Sequence, residues 1–455
     1  MVEKKIGVFG FGKTGRALLD YFHAKKIPQL FLVNDGLPED RNALKAELER
    51  GVCFIDAASD WDKLRQLEQL ILSPGVDGRQ DRFRVLREHG MRIVSEIEYA
   101  RSQIPCRVLA VTGSNGKSTT VSLIHHLLSF GGIKSHLLGN IGRPLISALP
   151  DIKPEDTVVL ELSSFQLEEI ESFRADIAML LNLTPDHLDR YPDFSSYAAA
   201  KAAIFRNQCS QDSAVLNFDD PWCRSHGQYL NSGRLFWFSR REKVNRGISS
   251  QGDRAFLQLN GAGEELSLAG NPLNGVHNLE NVLAALLAGS LCGLKGDLLA
   301  SGLKSFRGLS HRMEKVAEFN GVSFINDSKA TNVDAALKSI MSVSGKTAVI
   351  LGGKDKGGDF RPLGPLLARE GVTVFLIGQA APTIAAHLQE SGINFSLAAD
   401  LPEATRRAYE ALLPHGGVVL LAPACASFDM FNSFEHRGRE FALIAGALAG
   451  GVENG

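Results

Sequence analysis

The octapeptide Thr112–Thr119 contains the residue types that bind nucleotide phosphates. It reads Thr-Gly-Ser-Asn-Gly-Lys-Ser-Thr and lies between an apolar run and a segment of helical periodicity. Glycines there let backbone N–H groups approach a phosphate, a lysine adds positive charge at the terminal phosphates, and a serine hydroxyl can ligate magnesium. Although Val111 takes the place of the first glycine in the usual spacing, the pattern predicts an ATP–magnesium site. Its candidate residues are Gly113, Ser114, Asn115, Gly116, Lys117, Ser118 and Thr119.

A second glycine loop, Gly10–Gly15, follows the apolar run Ile6–Phe9 and precedes a helical segment. Backbone N–H groups and the helix dipole at such a place hold a pyrophosphate, and Asp35 at the end of the next strand is placed for a polar ring or a ribose. Any nucleotide with a diphosphate meets the same requirement. Taken alone, the loop favours a dinucleotide enzyme.

Charged side chains follow two later apolar runs. Glu161 comes directly after Val158–Leu160, where a carboxylate faces the ligand crevice of a parallel sheet and can hold magnesium. The segment Asp186–Arg190 follows Ile177–Leu181 and places Asp, His, Asp and Arg within a few positions. Because such clustering accompanies bound ligands or metals, we interpret His187 as a site residue rather than a structural histidine.

Lys201 lies among small and apolar residues in the helical segment Tyr197–Phe205. On the residues alone, the expectation is that its ammonium group extends to water while its stem covers apolar surface.

Short apolar runs, each followed by turn residues and then by helical periodicity, are typical of doubly wound α/β units. The predicted strands are Ile6–Phe9, Leu30–Val33, Leu70–Leu72, Val108–Val111, Val158–Leu160, Ile177–Leu181, Ala348–Leu351, Val372–Ile377 and Val418–Leu421. Breaks in the pattern near residues 100 and 306 predict three domains, 1–100, 101–306 and 307–455. The looser, alternating pattern between Ser213 and Glu265 predicts a small antiparallel insertion in the middle domain.

The composition is that of an ordinary globular protein, with 455 residues of which 44% are hydrophobic and 22% charged. A formal net charge of -2 provides no whole-chain basic field for nucleic acid or an acidic membrane surface. The six cysteines form no Cys-x-x-Cys pair, which argues against a zinc site and a disulfide framework. Without a signal-peptide pattern or an apolar run of the ~20 residues that cross a bilayer, we expect a cytoplasmic protein that binds small polar ligands.

Taken in order along the chain, these segments resemble the Mur ligase family, the amino-acid-adding enzymes of peptidoglycan synthesis. The phosphate loop and Gly275–Asn281 are similar to segments found throughout the family. Glu161–Leu167, Asp327–Asn332 and Ser427–Gly438 are most similar to the members that add D-glutamate. The resemblance covers essentially the whole chain. It implies a Rossmann-like N-terminal domain, a central phosphate-loop ATPase-like domain and a Rossmann-like C-terminal domain, which bind a UDP-sugar, ATP and the amino acid in turn.

Matching the family's motifs to this sequence implies three binding sets. The UDP-sugar set, for UDP-N-acetylmuramoyl-L-alanine, is Gly12, Lys13, Thr14, Gly15, Asp35, Ser73, Asn140, Ser163, Gln166 and His187. The ATP set consists of the phosphate loop together with Asn278, Asn281, Arg312, Asp327 and Lys329. The D-glutamate set is Thr331, Lys356, Ser427 and Phe434, and Lys354 is the alternative to Lys356. One departure concerns the uracil contact, because Gly36-Leu37 follows Asp35 where some relatives carry Thr-Arg.

The resemblance also implies the chemistry of an ATP-dependent ligase. The carboxylate of the UDP-sugar would attack the γ-phosphate, and the amine of D-glutamate would open the resulting acyl phosphate. The residues implied to carry this chemistry are Lys117, Glu161, His187, Lys201 and Arg312, with two Mg²⁺ ions near Ser118, Glu161, His187 and Lys201. Lys201 would hold its magnesium as a carbamate formed with CO₂, which requires the neutral amine that apolar surroundings favour.

Three alternatives stay open at this point. The same chemistry could serve another amino acid or a folate acceptor, as in other Mur-type or folylpolyglutamate-type ligases. Gly10–Gly15 could instead belong to a nicotinamide-dependent dehydrogenase. The third alternative is a nucleotide-switched binding module without ligase activity, which would leave the lysines and carboxylates beyond the phosphate loop unexplained.

We expect the ligase to act as a monomer, without nucleic acid or membrane as a partner.

Overall fold

The computed structural model describes residues 5–450 except 188–189, 229, 231–233, 260, 262, 274–275 and 356, and it describes 276, 277, 334 and 450 at the level of the backbone only. The chain forms two compact units, Met1–Phe306 and Arg307–Gly455. Within the described residues, none of the helices combines the length and the apolar character needed to span a membrane.

The first sheet of the N-terminal unit is parallel and has the strand order β3-β2-β1-β4-β5. Its elements are β1 Ile6–Phe9, α1 Lys13–Ala24, β2 Leu30–Asn34, α2 Arg41–Glu49, β3 Cys53–Asp56, β4 Gln69–Leu72, α3 Asp81–Glu88, β5 Arg92–Ser95 and α4 Glu96–Arg101. The chain crosses from β3 back to β4 on the other side of β1, so the loop after β1 lies at the switch point where open α/β sheets bind ligands.

The second sheet of this unit has the order β14-β13-β12-β11-β10-β9-β6-β8-β7. Its strands are β6 Arg107–Thr112, β7 Ser135–Gly139, β8 Thr157–Glu161, β9 Ile177–Leu180, β10 Ser213–Asn217, β11 Arg234–Ser239, β12 Gly247–Gln251, β13 Arg254–Gln258 and β14 Gly263–Ser267. Its helices are α5 Lys117–Phe130, α6 Leu145–Ala148, α7 Ser164–Glu168, α8 Phe194–Ala202, α9 Pro221–Gly227, α10 Val276–Leu291 and α11 Gly296–Ser305. The central position of β6 between β8 and β9 puts the phosphate loop beside the ends of both neighbours.

The prediction of an antiparallel insertion between Ser213 and Glu265 was partly wrong, because the antiparallel pairing begins later in the chain. β10 and β11 pair in parallel and continue the main sheet, and antiparallel pairing begins only between β12 and β13. An alternating sequence pattern indicates a strand with one more exposed face, as in β13, where buried and less buried residues alternate. It does not report strand direction, which depends on how the connections run.

Two buried carboxylates of α4 join the two sheets of the N-terminal unit. Glu98 accepts hydrogen bonds from the backbone N–H groups of Glu171, Ser172 and Phe173, at 2.7–3.0 Å. Glu96 accepts one from the N–H of Ile146 at 2.6 Å, and its burial raises its pKa to about 7. Glu98 thus attaches α4 to the segment before β9, and Glu96 attaches it to the start of α6, which follows β7.

The C-terminal unit contains one sheet with the order β15-β16-β20-β17-β18-β19, in which β15 and β16 pair antiparallel and the other pairs are parallel. Its elements are β15 Glu314–Phe319, β16 Val322–Asn326, α12 Val333–Ser342, β17 Thr347–Gly352, α13 Gly364–Leu367, β18 Val372–Ile377, α14 Ala381–Glu390, β19 Ser396–Leu397, α15 Leu401–Leu412, β20 Gly417–Leu421 and α16 Phe434–Gly450. Buried apolar residues on both faces of this sheet explain why its central strands read as continuous apolar runs.

Candidate functional site

The phosphate loop turns from β6 into α5 with a backbone that only glycine adopts easily. Gly116 has φ +82°, and a Cβ atom at this position would overlap the side-chain oxygen of Asn281. Asn281 is buried on α10, where its Oδ1 accepts a hydrogen bond from Thr120 Oγ1 at 3.3 Å and its Nδ2 donates one to Asn278 Oδ1 at 3.3 Å. The structure therefore brings the predicted residues Asn278 and Asn281 against the start of α5.

Replacing Gly116 by alanine is expected to weaken ATP binding about 10²-fold, because the loop must shift to admit the Cβ atom. Gly132→Ala is the matched control: Gly132 has φ +80°, and nothing lies within 4 Å of the position of its Cβ. Alanine in a left-handed backbone costs about 1–2 kcal/mol in both variants. Only Gly116→Ala also forces the loop to shift, so only this variant should change the affinity for ATP. Titration with ATP measures this difference, and equal affinities in the two variants would contradict the assignment.

The chain after β9 holds the phosphate loop in place. Asn182 Oδ1 accepts a hydrogen bond from the N–H of Asn115 at 2.8 Å, and Asn182 Nδ2 donates one to the carbonyl of Asn115 at 3.1 Å. Ser114 Oγ accepts the N–H of Thr184 at 3.0 Å and lies 2.9 Å from the hydroxyl of Tyr197. The sequence did not identify Asn182 and Tyr197 as site residues, although the position of Asn182 at a strand end beside the loop is a signal that was available.

Two lysines meet at one carbonyl of this loop. Lys117 Nζ donates to the carbonyl of Gly113 at 2.8 Å and to that of Ser114 at 2.9 Å, and Lys201 Nζ donates to the same Gly113 carbonyl at 2.9 Å. Lys201 is only 2% exposed, so the expectation that it extends to water was wrong. Burial lowers its pKa well below the usual value, and the nearby charge of Lys117 lowers it further, against the opposing effect of Asp186 and Glu161.

Glu161 is the last residue of β8, and one oxygen of its carboxylate is available to a ligand. Its Oε1 accepts a hydrogen bond from Asn140 Nδ2 at 2.7 Å. Its Oε2 is buried and has no hydrogen-bond partner among the described residues. A buried, unpaired carboxylate oxygen is costly unless a cation completes it, and the buried Ser118 hydroxyl at the start of α5 offers a second oxygen ligand. The residues present thus fit a magnesium ion.

His187 lies close to this site but is half exposed, with 45% of its side chain accessible. It has φ +54°, and its ring packs against Phe165 with centroids 4.8 Å apart. A left-handed backbone at a residue other than glycine is uncommon and concentrates at functional sites. Within the described part of the chain, no three His, Cys, Asp or Glu side chains group to hold a metal, so Glu161 and His187 would need other ligands beside them.

The interpretation of Asp186–Arg190 as one charged cluster was partly wrong. Arg190 turns toward Glu168, with a separation of 2.5 Å, and its guanidinium lies 4.1 Å from the centre of the Phe165 ring. Leu188 and Asp189 lie outside the described residues. Arg190 therefore has a carboxylate partner of its own and gives no indication of a bound anion.

The loop after β1 faces the segment after β7. Gly12 precedes α1, Lys13 Nζ donates to the carbonyl of Gly142, and Ser73 Oγ donates to the carbonyl of Gly10 at 3.4 Å. Thr14 is half-buried and Gly15 is buried. Through Asn140, the same segment also contacts Glu161, so the structure links the first glycine loop to the phosphate-loop site.

Asp35 is held by an arginine that the sequence did not single out. Arg82 Nη1 and Nη2 each donate to a carboxylate oxygen of Asp35 at 2.7 Å, and the guanidinium also lies 4.7 Å from the centre of the Trp61 ring. Leu37, the second residue of the Gly36-Leu37 departure from some relatives, is 56% exposed. An Asp–Arg pair and an exposed leucine therefore border the place where the ring of a nucleotide is expected.

Ser163 and Gln166 form a capping box at the start of α7. Ser163 Oγ accepts the N–H of Gln166 at 3.3 Å, and Gln166 Oε1 accepts the N–H of Ser163 at 3.0 Å. Such reciprocal hydrogen bonds satisfy two of the free N–H groups at a helix start. They leave Glu161 without a capping role, which agrees with its assignment as a metal ligand.

In the C-terminal unit, the ATP residues implied by the resemblance lie around the end of β16. Asp327 is buried, which raises its pKa, and its carboxylate accepts hydrogen bonds from the N–H of Met313 at 3.3 Å and from Ser339 Oγ. The charge of Arg312 acts on this carboxylate. Lys329 Nζ lies 4.7 Å from the centre of the Phe434 ring.

The D-glutamate residues implied by the resemblance belong to three segments of the same unit. Ser427 is buried and its carbonyl accepts the N–H of Phe431 at 2.8 Å, while the carbonyl of Phe434 accepts Ser328 Oγ at 2.8 Å. Thr331 is half-buried. Lys356 lies outside the described residues, and the alternative Lys354 is exposed.

Comparison with known proteins identifies the family of this chain. Residues 4–95, 111–289 and 311–425 match the models described as Mur ligase MurD-like N-terminal domain, Mur ligase middle domain, and Mur ligase glutamate ligase domain. The UDP-N-acetylmuramoylalanine–D-glutamate ligase of Koribacter versatilis is 39% identical over 98% of each chain. The ligase of the same name from Acidobacterium capsulatum is 41% identical over 96% of this chain and 95% of the relative.

A solved structure shows the same fold. Crystal structure II of MurF from Acinetobacter baumannii has a TM-score of 0.60 at 17% identity, covering 94% of this chain and 98% of the other. At that identity the likeness concerns the fold alone. The family rests on the sequence relatives: with 39% identity to a Mur ligase along almost its entire length, this chain belongs to the Mur ligase family.

Proposed function

We propose that this protein uses ATP to join D-glutamate to UDP-N-acetylmuramoyl-L-alanine, with release of ADP and phosphate. The observation that carries the proposal is the cluster at the phosphate loop, where Lys117 and Lys201 share the Gly113 carbonyl and one carboxylate oxygen of Glu161 has no partner among the residues that the structure describes. Relatives about 40% identical along nearly the whole chain are named for this reaction. The cluster has the positive charge and the metal ligand that phosphoryl transfer requires.

Two magnesium ions are assigned to Ser118, Glu161 and His187, with Lys201 as a ligand of the second ion. Bound there, the metal would neutralise charge on the phosphates. Lys117 brings its own positive charge to the terminal phosphates, and the N–H groups of the loop and of the start of α5 orient them. The contacts of Asn182 with Asn115 keep those N–H groups in position.

Lys201 is assigned as a carbamate. Its low pKa leaves more of the amine neutral, and a neutral amine adds to CO₂ with loss of one proton. The product carries a negative charge and two oxygen atoms where the unmodified side chain carries an ammonium group. This change would also end the repulsion between Lys201 and Lys117 at the Gly113 carbonyl.

The reaction proceeds in two steps. A carboxylate oxygen of the L-alanyl group attacks the γ-phosphorus, the bond to the β-phosphate oxygen breaks and ADP leaves. The amine of D-glutamate then attacks the acyl carbon, phosphate leaves with the transferred oxygen, and the amine loses a proton. The residues assigned to the UDP-substrate are Gly12, Lys13, Thr14, Gly15, Asp35, Ser73, Asn140, Ser163, Gln166 and His187. The residues of the C-terminal unit assigned to ATP are Arg312, Asp327 and Lys329.

The test is phosphate release from purified protein supplied with ATP, magnesium and UDP-N-acetylmuramoyl-L-alanine. We expect release to depend on added D-glutamate and to be far slower with L-glutamate, because a chiral pocket with fixed donors for two carboxylates places the amine of one isomer correctly. No release with both substrates present would refute the proposal. Release with a different amino acid in a panel would instead indicate another Mur-type ligase.

A further inference from the structure

Arg437 is fully buried, with 0% of its surface exposed. It lies in the first turn of α16, within the segment Phe434–Gly438 that resembles the D-glutamate-adding members of the family. Its guanidinium donates to Ser328 Oγ at 2.9 Å, to the carbonyl of Ser328 at 2.8 Å, to that of Cys425 at 3.2 Å and to that of Ala426 at 3.4 Å. The rigid fork of an arginine thus joins chain segments far apart in sequence.

These segments carry the residues assigned to the amino acid. Thr331 follows Ser328 by three positions, and Ser427 directly follows Ala426. Ser328 Oγ also donates to the carbonyl of Phe434, so the start of α16 is held to the same point. Arg437 therefore contacts the backbone near Thr331 and next to Ser427 without being one of the assigned residues.

A third segment is attached through Ala426. The N–H of Lys354 donates to the carbonyl of Ala426 at 2.8 Å, and the N–H of Ala426 donates back to the carbonyl of Lys354 at 3.2 Å. Gly353 has φ +137°, and a Cβ atom there would overlap the Ala426 carbonyl and lie 3.1 Å from Nη1 of Arg437. The close approach of this loop to the arginine thus requires glycine at position 353.

The charge of Arg437 is compensated mainly by neutral groups. Within the described part of the chain its guanidinium forms no ion pair, and its hydrogen-bond acceptors are backbone carbonyls and one hydroxyl. Burial lowers its pKa to about 10 against the opposing effects of Cys425 and Asp429, so it stays charged at neutral pH. A buried cation without a paired anion is costly, and the cost falls when a ligand brings negative charge nearby.

We propose that Arg437 is the positioning residue of the amino-acid site: it fixes the three segments that carry the side chains for D-glutamate and supplies the positive potential that attracts the two carboxylates. This inference rests on the proposed function. It assigns Arg437 no contact with the substrate. Its effect therefore belongs to the amino acid and not to the UDP-substrate, whose assigned residues all lie before residue 307.

The test compares Arg437→Met, Arg437→Lys and Arg369→Met with the unchanged protein. Methionine keeps an unbranched apolar stem, although a shorter one, and removes the charge and the donors, whereas lysine keeps the charge and loses the fork. Arg369 is the matched control, because it too donates to backbone carbonyls, those of Leu366 and Ile340, away from the three segments. Steady-state phosphate release gives KM for D-glutamate and for the UDP-substrate, and thermal unfolding reports the fold.

For Arg437→Met we expect kcat/KM for D-glutamate to fall on the order of 10²-fold, with KM for the UDP-substrate within about twofold of the unchanged protein. Arg437→Lys should recover part of that loss, and Arg369→Met should change neither constant. Equal loss for both substrates, or an unchanged KM for D-glutamate, would overturn the inference.

A second variant serves if Arg437→Met does not fold. Ser328→Ala removes one acceptor of Arg437 and leaves the arginine in place, and we expect it to raise KM for D-glutamate several-fold while KM for the UDP-substrate stays constant. An unchanged KM for D-glutamate in this variant would also overturn the inference. Absence of D-glutamate-dependent release from the unchanged protein is a separate result, which refutes the proposed function itself.

Discussion

Replacing Lys117 by alanine is expected to lower the rate of phosphate release about 10³-fold while the protein remains folded. The ammonium group lies 2.8 Å and 2.9 Å from two carbonyl oxygens of the phosphate loop, within the backbone that would surround the terminal phosphates. Removing it takes away positive charge at the point where negative charge is transferred. It leaves the buried strands on either side intact, because Lys117 is only partly buried at the start of α5.

The measurement is steady-state phosphate release beside a thermal unfolding curve. Lys45→Ala is the control, since Lys45 is a lysine on the surface of α2 with 78% of its side chain exposed. Its removal should leave both the rate and the unfolding temperature nearly unchanged. Turnover by Lys117→Ala at more than a tenth of the normal rate would show that the loop has been assigned the wrong role.

Lys201→Ala is expected to be the second most damaging change, with a loss of about 10²-fold or more in rate. If the lysine acts as a carbamate, the alanine variant lacks a carboxylate-like ligand, so acetate or formate in the buffer should restore part of the activity. For the unchanged protein, removal of dissolved CO₂ and bicarbonate should lower activity reversibly. Phosphate release is measured for the alanine variant with and without acetate or formate, and for the unchanged protein with and without dissolved CO₂. These measurements test the loss of rate, its partial restoration and the dependence on CO₂.

Lys201→Arg distinguishes the carbamate from a cation. Arginine retains the positive charge but does not form a carbamate, because its guanidinium stays protonated. We expect this variant to be as inactive as Lys201→Ala, although the larger head group must also fit a buried position. Full activity of Lys201→Arg, or no response of either variant to acetate, would contradict carbamylation and leave Lys201 as a cation at the Gly113 carbonyl.

The family membership also separates the earlier alternatives. The loop Gly10–Gly15 taken alone favours a nicotinamide-dependent dehydrogenase, because its glycine spacing serves any diphosphate. Residues 4–95, which contain the loop, match the Mur ligase MurD-like N-terminal domain instead. A motif of a few glycines thus predicts a phosphate contact that several classes of enzyme share, and the surrounding domain identifies the family.

Local patterns were sufficient to predict the elements that position the site. The run Ile6–Phe9 is β1, and Val158–Leu160 lies within β8, with Glu161 at its end. Burial of a strand on both faces produces a continuous apolar run that can be seen without any knowledge of its neighbours. Strand direction after Ser213 could not be obtained this way, and the antiparallel pairing was therefore expected too early in the chain.

The sequence by itself predicts the phosphate loop and its ATP–magnesium chemistry, because a loop of eight consecutive residues contains its own donors, charge and hydroxyl. Tertiary structure alone decided that Lys201 is buried and reaches the Gly113 carbonyl, 88 positions away in sequence. It also decided that Asp35 is paired with Arg82. In the C-terminal unit, it decided that Arg437 contacts Ser328 and Ala426, and that Ala426 in turn contacts Lys354. Such contacts depend on strand order and on the packing of helices over the sheets, which spacing along the chain does not encode.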